Sequence, residues 1–132
     1  MSESALPTQL RGVTLPFAGN GRKLGYPTAN IILPTKLKDG VYFGYADLDD
    51  YYNHRRALIF IGTPSSSTAS DSGRRIEAHI LDIPDEDYYG LPLKLDVQHH
   101  HRRSETFTST EELKAAMYAD EMAARAWFDA HK

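Results

Sequence analysis

Apolar and polar residues alternate along much of this chain with a period of two, the spacing at which a strand turns one face to a core and the other to water. Arg75 to Asp82 is the clearest case, with Ile76, Ala78 and Ile80 on one face and Glu77, His79 and Leu81 on the other. Leu93, Leu95 and Val97 alternate with Lys94, Asp96 and Gln98 in a further strand. Val41 to Leu48 is rich in strand formers and follows an Asp39-Gly40 turn signal. Arg56 to Ile61 is a compact apolar run closed by Gly62, too short for a typical helix. With Gly12 to Leu15 and Thr28 to Leu33, the pattern predicts about six strands.

The period changes after Phe107. Ser109-Thr110-Glu111-Glu112 has capping-box spacing, a serine at the N-cap and a glutamate three residues on. Leu113, Met117, Ala124 and Phe128 follow at helical spacing as a core-facing stripe, with Trp127 beside it. Short strands closed by one helix predict a mainly β fold, a small antiparallel barrel with the helix packed outside. Thr63 to Gly73 is small, polar and turn-prone, which predicts a surface loop. No repeat or linker divides the chain, so residues 1–132 are expected to form one domain, with about the first eight loose.

Composition narrows the classes. At 132 residues, with 41% hydrophobic and 25% charged positions, the chain can bury the core of one globular domain. A net charge of −3 argues against a general nucleic-acid binder. The absence of cysteine excludes disulfides and thiolate metal sites. No apolar run approaches the roughly 20 residues of a membrane span, and the N-terminus lacks the basic start and apolar block of a signal peptide. A cytoplasmic protein is the expectation. Nothing specifies an oligomer, and a monomer is favoured.

The chemistry concentrates between Gly19 and Asn30, a stretch with three glycines, Arg22, Lys23 and a Pro27-Thr28-Ala29-Asn30 run. Glycine lets backbone approach a ligand closely, and successive N–H groups in such a loop suit phosphate oxygens. If Thr28 to Ile32 is extended, Thr28 and Asn30 share a face within reach of one cation. The loop suggests a magnesium-nucleotide site. It matches neither common glycine-rich phosphate motif in frame, so taken alone it also reads as a hairpin connection.

Five segments in order resemble the riboflavin kinase (flavokinase) family. Leu24-Gly25-Tyr26-Pro27-Thr28-Ala29-Asn30 is similar to its Leu-Gly-x-Pro-Thr-Ala-Asn signature. Gly40-Val41-Tyr42-Phe43-Gly44-Tyr45-Ala46 is similar to its Gly-Val-Tyr-x-Gly-x-Ala strand. Glu77-Ala78-His79-Ile80 resembles its Glu-x-His-Ile strand, and Asp87-Tyr88-Tyr89-Gly90 its Asp-x-Tyr-Gly turn. Phe107 and Glu111-Glu112-Leu113 sit where the family enters its terminal helix.

The resemblance implies a six-stranded, Greek-key-like antiparallel barrel with an outer C-terminal helix. It also implies phosphorylation of the ribityl 5′-hydroxyl of riboflavin by ATP with Mg2+, giving FMN. Gly19, Gly21, Arg22, Lys23, Gly25, Pro27 and Tyr89 would serve ATP, and Thr28 and Asn30 the metal. Glu77 would be the catalytic carboxylate, and Arg102, Arg103, Glu105 and Phe107 would meet the flavin. Many bacterial members carry this domain behind an adenylyltransferase that makes FAD. No such domain fits here, so the chain is expected to supply the kinase half alone.

Two departures keep alternatives open. After Ile61-Gly62 the family carries Pro-Thr and an aromatic residue, whereas Thr63-Pro64-Ser65-Ser66-Ser67 keeps the proline without the aromatic. A non-catalytic flavin- or nucleotide-binding module remains the second reading for that reason. A small barrel binding oligonucleotides is the third, and it would need a basic, aromatic-studded face. The register before Phe107 allows either Arg102, or Arg103 with Glu105, to match the family pattern. His99-His100-His101 lacks a carboxylate or cysteine partner in sequence and reads as packed or solvated histidines rather than a metal site. Arg74-Arg75 and Arg102-Arg103 read as solvated pairs.

Overall fold

The computed structural model describes residues 6–16, 25–62 and 74–132. Six strands, β1 (Thr8–Val13), β2 (Ala29–Leu33), β3 (Gly40–Leu48), β4 (Tyr52–Gly62), β5 (Arg74–Ile80) and β6 (Pro92–Arg103), precede one helix, α1 (Thr110–Ala130). The sheet order is β1-β6-β3-β4-β5-β2, with every pairing antiparallel. Three consecutive strands, β3, β4 and β5, run side by side and β6 returns beside β3, which is a Greek key. Leu15 donates its N–H to the Asn30 carbonyl at 2.8 Å, joining the two sheet edges and nearly closing the barrel. The expected architecture is present.

The core has two parts, one on each face of the sheet. Ile31, Tyr42, Ile59, Ile76, Ala78, Leu93, Leu95 and Val97 fill the interior. Outside, Val41, Phe43, Leu58 and Leu81 pack against Ala124 and Phe128 of α1. The 3.6-residue and two-residue periods of the sequence therefore meet at one interface.

Strand boundaries differ from the pattern in informative ways. β1 begins at Thr8, ahead of the expected Gly12 start, and Leu6 packs on the interior. β6 runs on past Val97 through all three histidines, made possible by register shifts opposite Val41/Tyr42 and Phe43/Gly44. His99 and His101 lie 5.6 and 4.7 Å from the Phe43 ring, and His100 4.9 Å from Tyr42. These histidines pack as aromatic plates, and His101 does have a carboxylate neighbour that the sequence did not show, its Nε2 lying 3.4 Å from Asp120 Oδ1; no metal-holding group of three or more such side chains occurs among the described residues. Before the histidines, Gly44 lets β3 approach β6 at Asp96, since a Cβ there would sit 2.1 Å from the Asp96 carbonyl oxygen.

Arg74 is not a solvated strand residue. Its guanidinium donates to the Thr35 carbonyl at 3.0 Å and to the Leu37 carbonyl and Asp39 carboxylate, clamping the β2–β3 connection.

The helix start follows the capping signal with one change. Ser109 Oγ accepts from the Glu112 N–H at 3.1 Å. The Glu112 carboxylate reaches Thr108, accepting from its N–H at 3.0 Å and its hydroxyl at 2.8 Å, one residue earlier than a capping box requires. Further along, Arg125 binds Asp82 at 3.0 Å and Glu121 at 2.9 Å, and Glu121 accepts from the Tyr26 hydroxyl at 3.0 Å. Among the described residues, no helix is long and apolar enough to cross a membrane.

Candidate active site

β2 and β5 pair so that Asn30 faces Glu77 across the ladder. Strand alternation sends Ala29 and Ile31 inward, which leaves Thr28 and Asn30 on the outer face with Glu77. The Thr28 hydroxyl donates to Glu77 Oε1 at 3.3 Å, and the Asn30 amide donates to the Thr28 carbonyl at 3.3 Å. Asn30 is buried, at 3% exposure. Pairing thus adds Glu77 to the Thr28 and Asn30 pair read from the sequence, forming one oxygen-rich cluster.

Burial pushes the Glu77 carboxyl above its ordinary value, with Arg75 and the Thr28 hydroxyl opposing. A carboxylate so held is a stronger proton acceptor than an exposed one. On the same strand, the Pro27 carbonyl lies 2.8 Å from His79 Nδ1. A carbonyl only accepts, so Nδ1 carries the proton, and burial keeps this ring's pKa low. His79 thereby anchors the backbone just before Thr28. Gly25, at φ +91°, takes the left-handed turn into this segment, a conformation that side chains disfavour.

Glu77 and Thr28 open onto a cavity of about 790 Å³ between the outer barrel face and the first turns of α1. Arg102, Glu105 and Phe107 line its opposite part, with Leu113 and Met117 from the helix. Asp120 was not foreseen. It lies on the helix's buried stripe at 1% exposure, where an apolar residue is the norm. Its two oxygens each accept from Arg102 at 2.8 Å. Arg102 also lies over the Phe107 ring at 5.9 Å and 3.8 Å from Glu105. Arg103 is exposed and absent from the lining, so the structure separates the two arginines that the register left equivalent. The only sequence signal for Asp120 was an acid at a core position of an amphipathic helix.

Other expected positions lie apart. Pro27 borders the cluster, but Tyr89 sits 45% exposed on the turn before β6 and does not line the cavity. That turn is held by Thr14, whose carbonyl accepts from Gly90 N–H at 2.8 Å and whose hydroxyl accepts from Leu91 N–H at 2.9 Å. Gly19, Gly21, Arg22 and Lys23, and the Thr63 to Gly73 segment, lie outside the described residues.

Known proteins resemble this chain in sequence and fold. The family model for riboflavin kinase (Flavokinase) matches residues 4–128. The trifunctional protein RibF/MnmA of Mycoplasmoides gallisepticum is 35% identical over 125 residues, covering 92% of this chain and 18% of that protein. The riboflavin kinase of Mus musculus is 30% identical over 123 residues, covering 88% and 77%. A crystal structure of riboflavin kinase from Trypanosoma brucei superposes with a TM-score of 0.69 at 22% identity, over 92% of this chain and 79% of that one, and shows the shared fold.

Proposed function

Because the chain belongs to the riboflavin kinase family, we propose that it transfers a phosphoryl group from magnesium-ATP to the ribityl 5′-hydroxyl of riboflavin, giving FMN. The observation that carries this reading is the Thr28–Asn30–Glu77 cluster at the edge of the large cavity.

Phosphoryl transfer needs mainly positioning and charge stabilisation. The cluster's oxygens are hard donors of the kind magnesium prefers, so the residues present fit that ion. Thr28 and Asn30 would hold it, and when bound it would neutralise charge on the phosphates. A hydroxyl that gives its proton to Glu77, as Thr28 does, keeps its lone pairs for a cation. Glu77 orients the acceptor hydroxyl and takes its proton, a contribution of roughly 10²–10⁴-fold. Gly19, Gly21, Arg22, Lys23 and Gly25 cover the phosphates in this reading, with Pro27 and Tyr89 beside the nucleotide. The flavin occupies the wall of Arg102, Glu105 and Phe107, which favours Arg102 over Arg103 as its contact. The setting is the cytoplasm, and one domain acts on small molecules rather than nucleic acid.

The test is FMN formation from riboflavin and magnesium-ATP, followed by chromatography. The native protein is expected to form FMN, Glu77→Gln to lower kcat by about 10²–10⁴, and Thr28→Ala or Asn30→Ala to weaken magnesium-nucleotide binding and turnover together, an unchanged magnesium dependence going against their ligand role. Near-full turnover by Glu77→Gln ends the base assignment. Riboflavin binding without FMN would identify a binding module instead.

A further inference from the structure

Tyr26, Pro27 and Thr28 lie ahead of Ala29, the first residue of β2, so side-chain contacts rather than ladder hydrogen bonds place them. Tyr26 is nonetheless buried, at 8% exposure. Its ring stands edge-on to His79, with centroids 5.1 Å apart, and its hydroxyl donates to Glu121 Oε1 of α1 at 3.0 Å. Position 26 is the open one in the Leu-Gly-x-Pro-Thr-Ala-Asn string, so the hydroxyl belongs to this chain's version of it.

Glu121 is itself fixed. Its Oε2 accepts from Arg125 Nε at 2.9 Å, in the favourable i, i+4 order of acid before base. Arg125 then donates to both oxygens of Asp82, at 3.0 and 3.1 Å, in a bidentate pair just beyond β5. A closed circuit results. From β5 it runs through Asp82, Arg125 and Glu121 to Tyr26, then through the Pro27 carbonyl, 2.8 Å from His79 Nδ1, back to β5. Glu77 stands two residues before His79 on that strand. Neighbouring acids of α1 thus hold two sides of the site. Asp120 binds Arg102 on the cavity wall, and Glu121 binds the residue two before Thr28.

We propose that Tyr26 is a positioning residue for the nucleotide side of the site, its hydroxyl tethering the Pro27–Thr28 segment to α1 through Glu121. This rests on the reaction proposed above and deepens it, since Tyr26 acts through the placement of Thr28. A hydrogen bond to a charged acceptor fixes a side chain more firmly and more directionally than ring packing alone. A small misplacement of a positioned group costs affinity and rate steeply.

Tyr26→Phe removes the hydroxyl and keeps the ring against His79. It is expected to raise KM for magnesium-ATP about tenfold and to leave KM for riboflavin unmoved. Glu121→Ala is expected to do at least as much, and Glu121→Gln, whose amide oxygen still accepts, to fall between native and Glu121→Ala. The double variant Tyr26→Phe/Glu121→Ala is expected to be no worse than Glu121→Ala, as for two ends of one contact. In the unliganded protein, hydrogen exchange at the Thr28 and Ala29 amides is expected to quicken several-fold in Tyr26→Phe, with Ile31 to Leu33 unmoved, because a local tether and not the strand is lost. Equal KM rises for both substrates, additive variants, or β2 amides quickened together overturn the proposal. Native turnover with Tyr26→Phe matching native in KM and exchange removes the tether alone. If the native protein neither forms FMN nor binds magnesium-ATP, the reaction reading falls, and this inference falls with it.

Discussion

Glu77, as the proposed base, would serve two opposed demands. It has to be held against the barrel to be aimed at an acceptor, and that placement removes water and raises its pKa. A base works only when deprotonated. Turnover should therefore fall on the acid side with a midpoint above the ordinary carboxylate value of 4.5. A kcat–pH profile with its acid limb at or below that value goes against Glu77 as the base. Gly44 makes a different, purely steric demand. A Cβ there would come 2.1 Å from the Asp96 carbonyl oxygen and 3.1 Å from Ile59, both held by the sheet. Gly44→Ala should cost about 3 kcal/mol or more, read as a lower denaturation midpoint at unchanged m-value. The family-like Gly-Val-Tyr-Phe-Gly string was visible in the sequence, but the reason for its second glycine lies in β6, more than fifty residues away.

Among the elements, α1 and β6 depend on each other through Arg102 and Asp120. The helix was legible from its cap and its stripe, because both signals are local. Its acid at position 120 was not, since the partner is 18 residues away, on a strand whose alternation reads only as far as Gln98. Asp120→Ala should leave the half-buried Arg102 without its two charge-assisted hydrogen bonds. A loss of about 3 kcal/mol is expected, together with a raised riboflavin KM as the Arg102–Phe107 wall loosens. Calorimetry and steady-state kinetics measure the two effects. A stability loss with riboflavin KM unmoved would confine Asp120 to packing. The histidine run was overlooked as strand for a related reason, because histidine carries little strand signal until an aromatic neighbour such as Phe43 is placed against it.

For the molecule as a whole, two groups pull the pH dependence of stability in opposite directions. His79 has a depressed pKa, so the folded state binds its proton more weakly than the unfolded chain. Its contribution is present above 6.5 and is lost as pH falls toward the depressed value. Glu77 has a raised pKa, so the folded state holds its proton more tightly, and that stability is lost as pH rises from 4.5 through the raised value. Between 4.5 and 6.5 the two partly cancel. Relative to native protein, Glu77→Gln should gain stability with rising pH across this window, and His79→Gln should lose it. Denaturant titrations at several pH values decide the matter, and parallel curves for both variants would contradict these assignments.

What the sequence determined by itself is whatever repeats over short spacing. Period-two alternation set which side chains of β5 face inward, the Ser109 signal set where α1 begins, and the Pro-Thr-Ala-Asn and Glu-x-His-Ile strings pointed to the family. Local backbone geometry alone imposes those periods, so no partner is needed to read them. Only the tertiary structure decided which strands neighbour one another and where the cavity opens. It brought Asn30 opposite Glu77, set Arg102 apart from Arg103, and placed Asp120 beneath an arginine. Those outcomes come from pairing between distant segments, where register and burial rather than propensity select the partner.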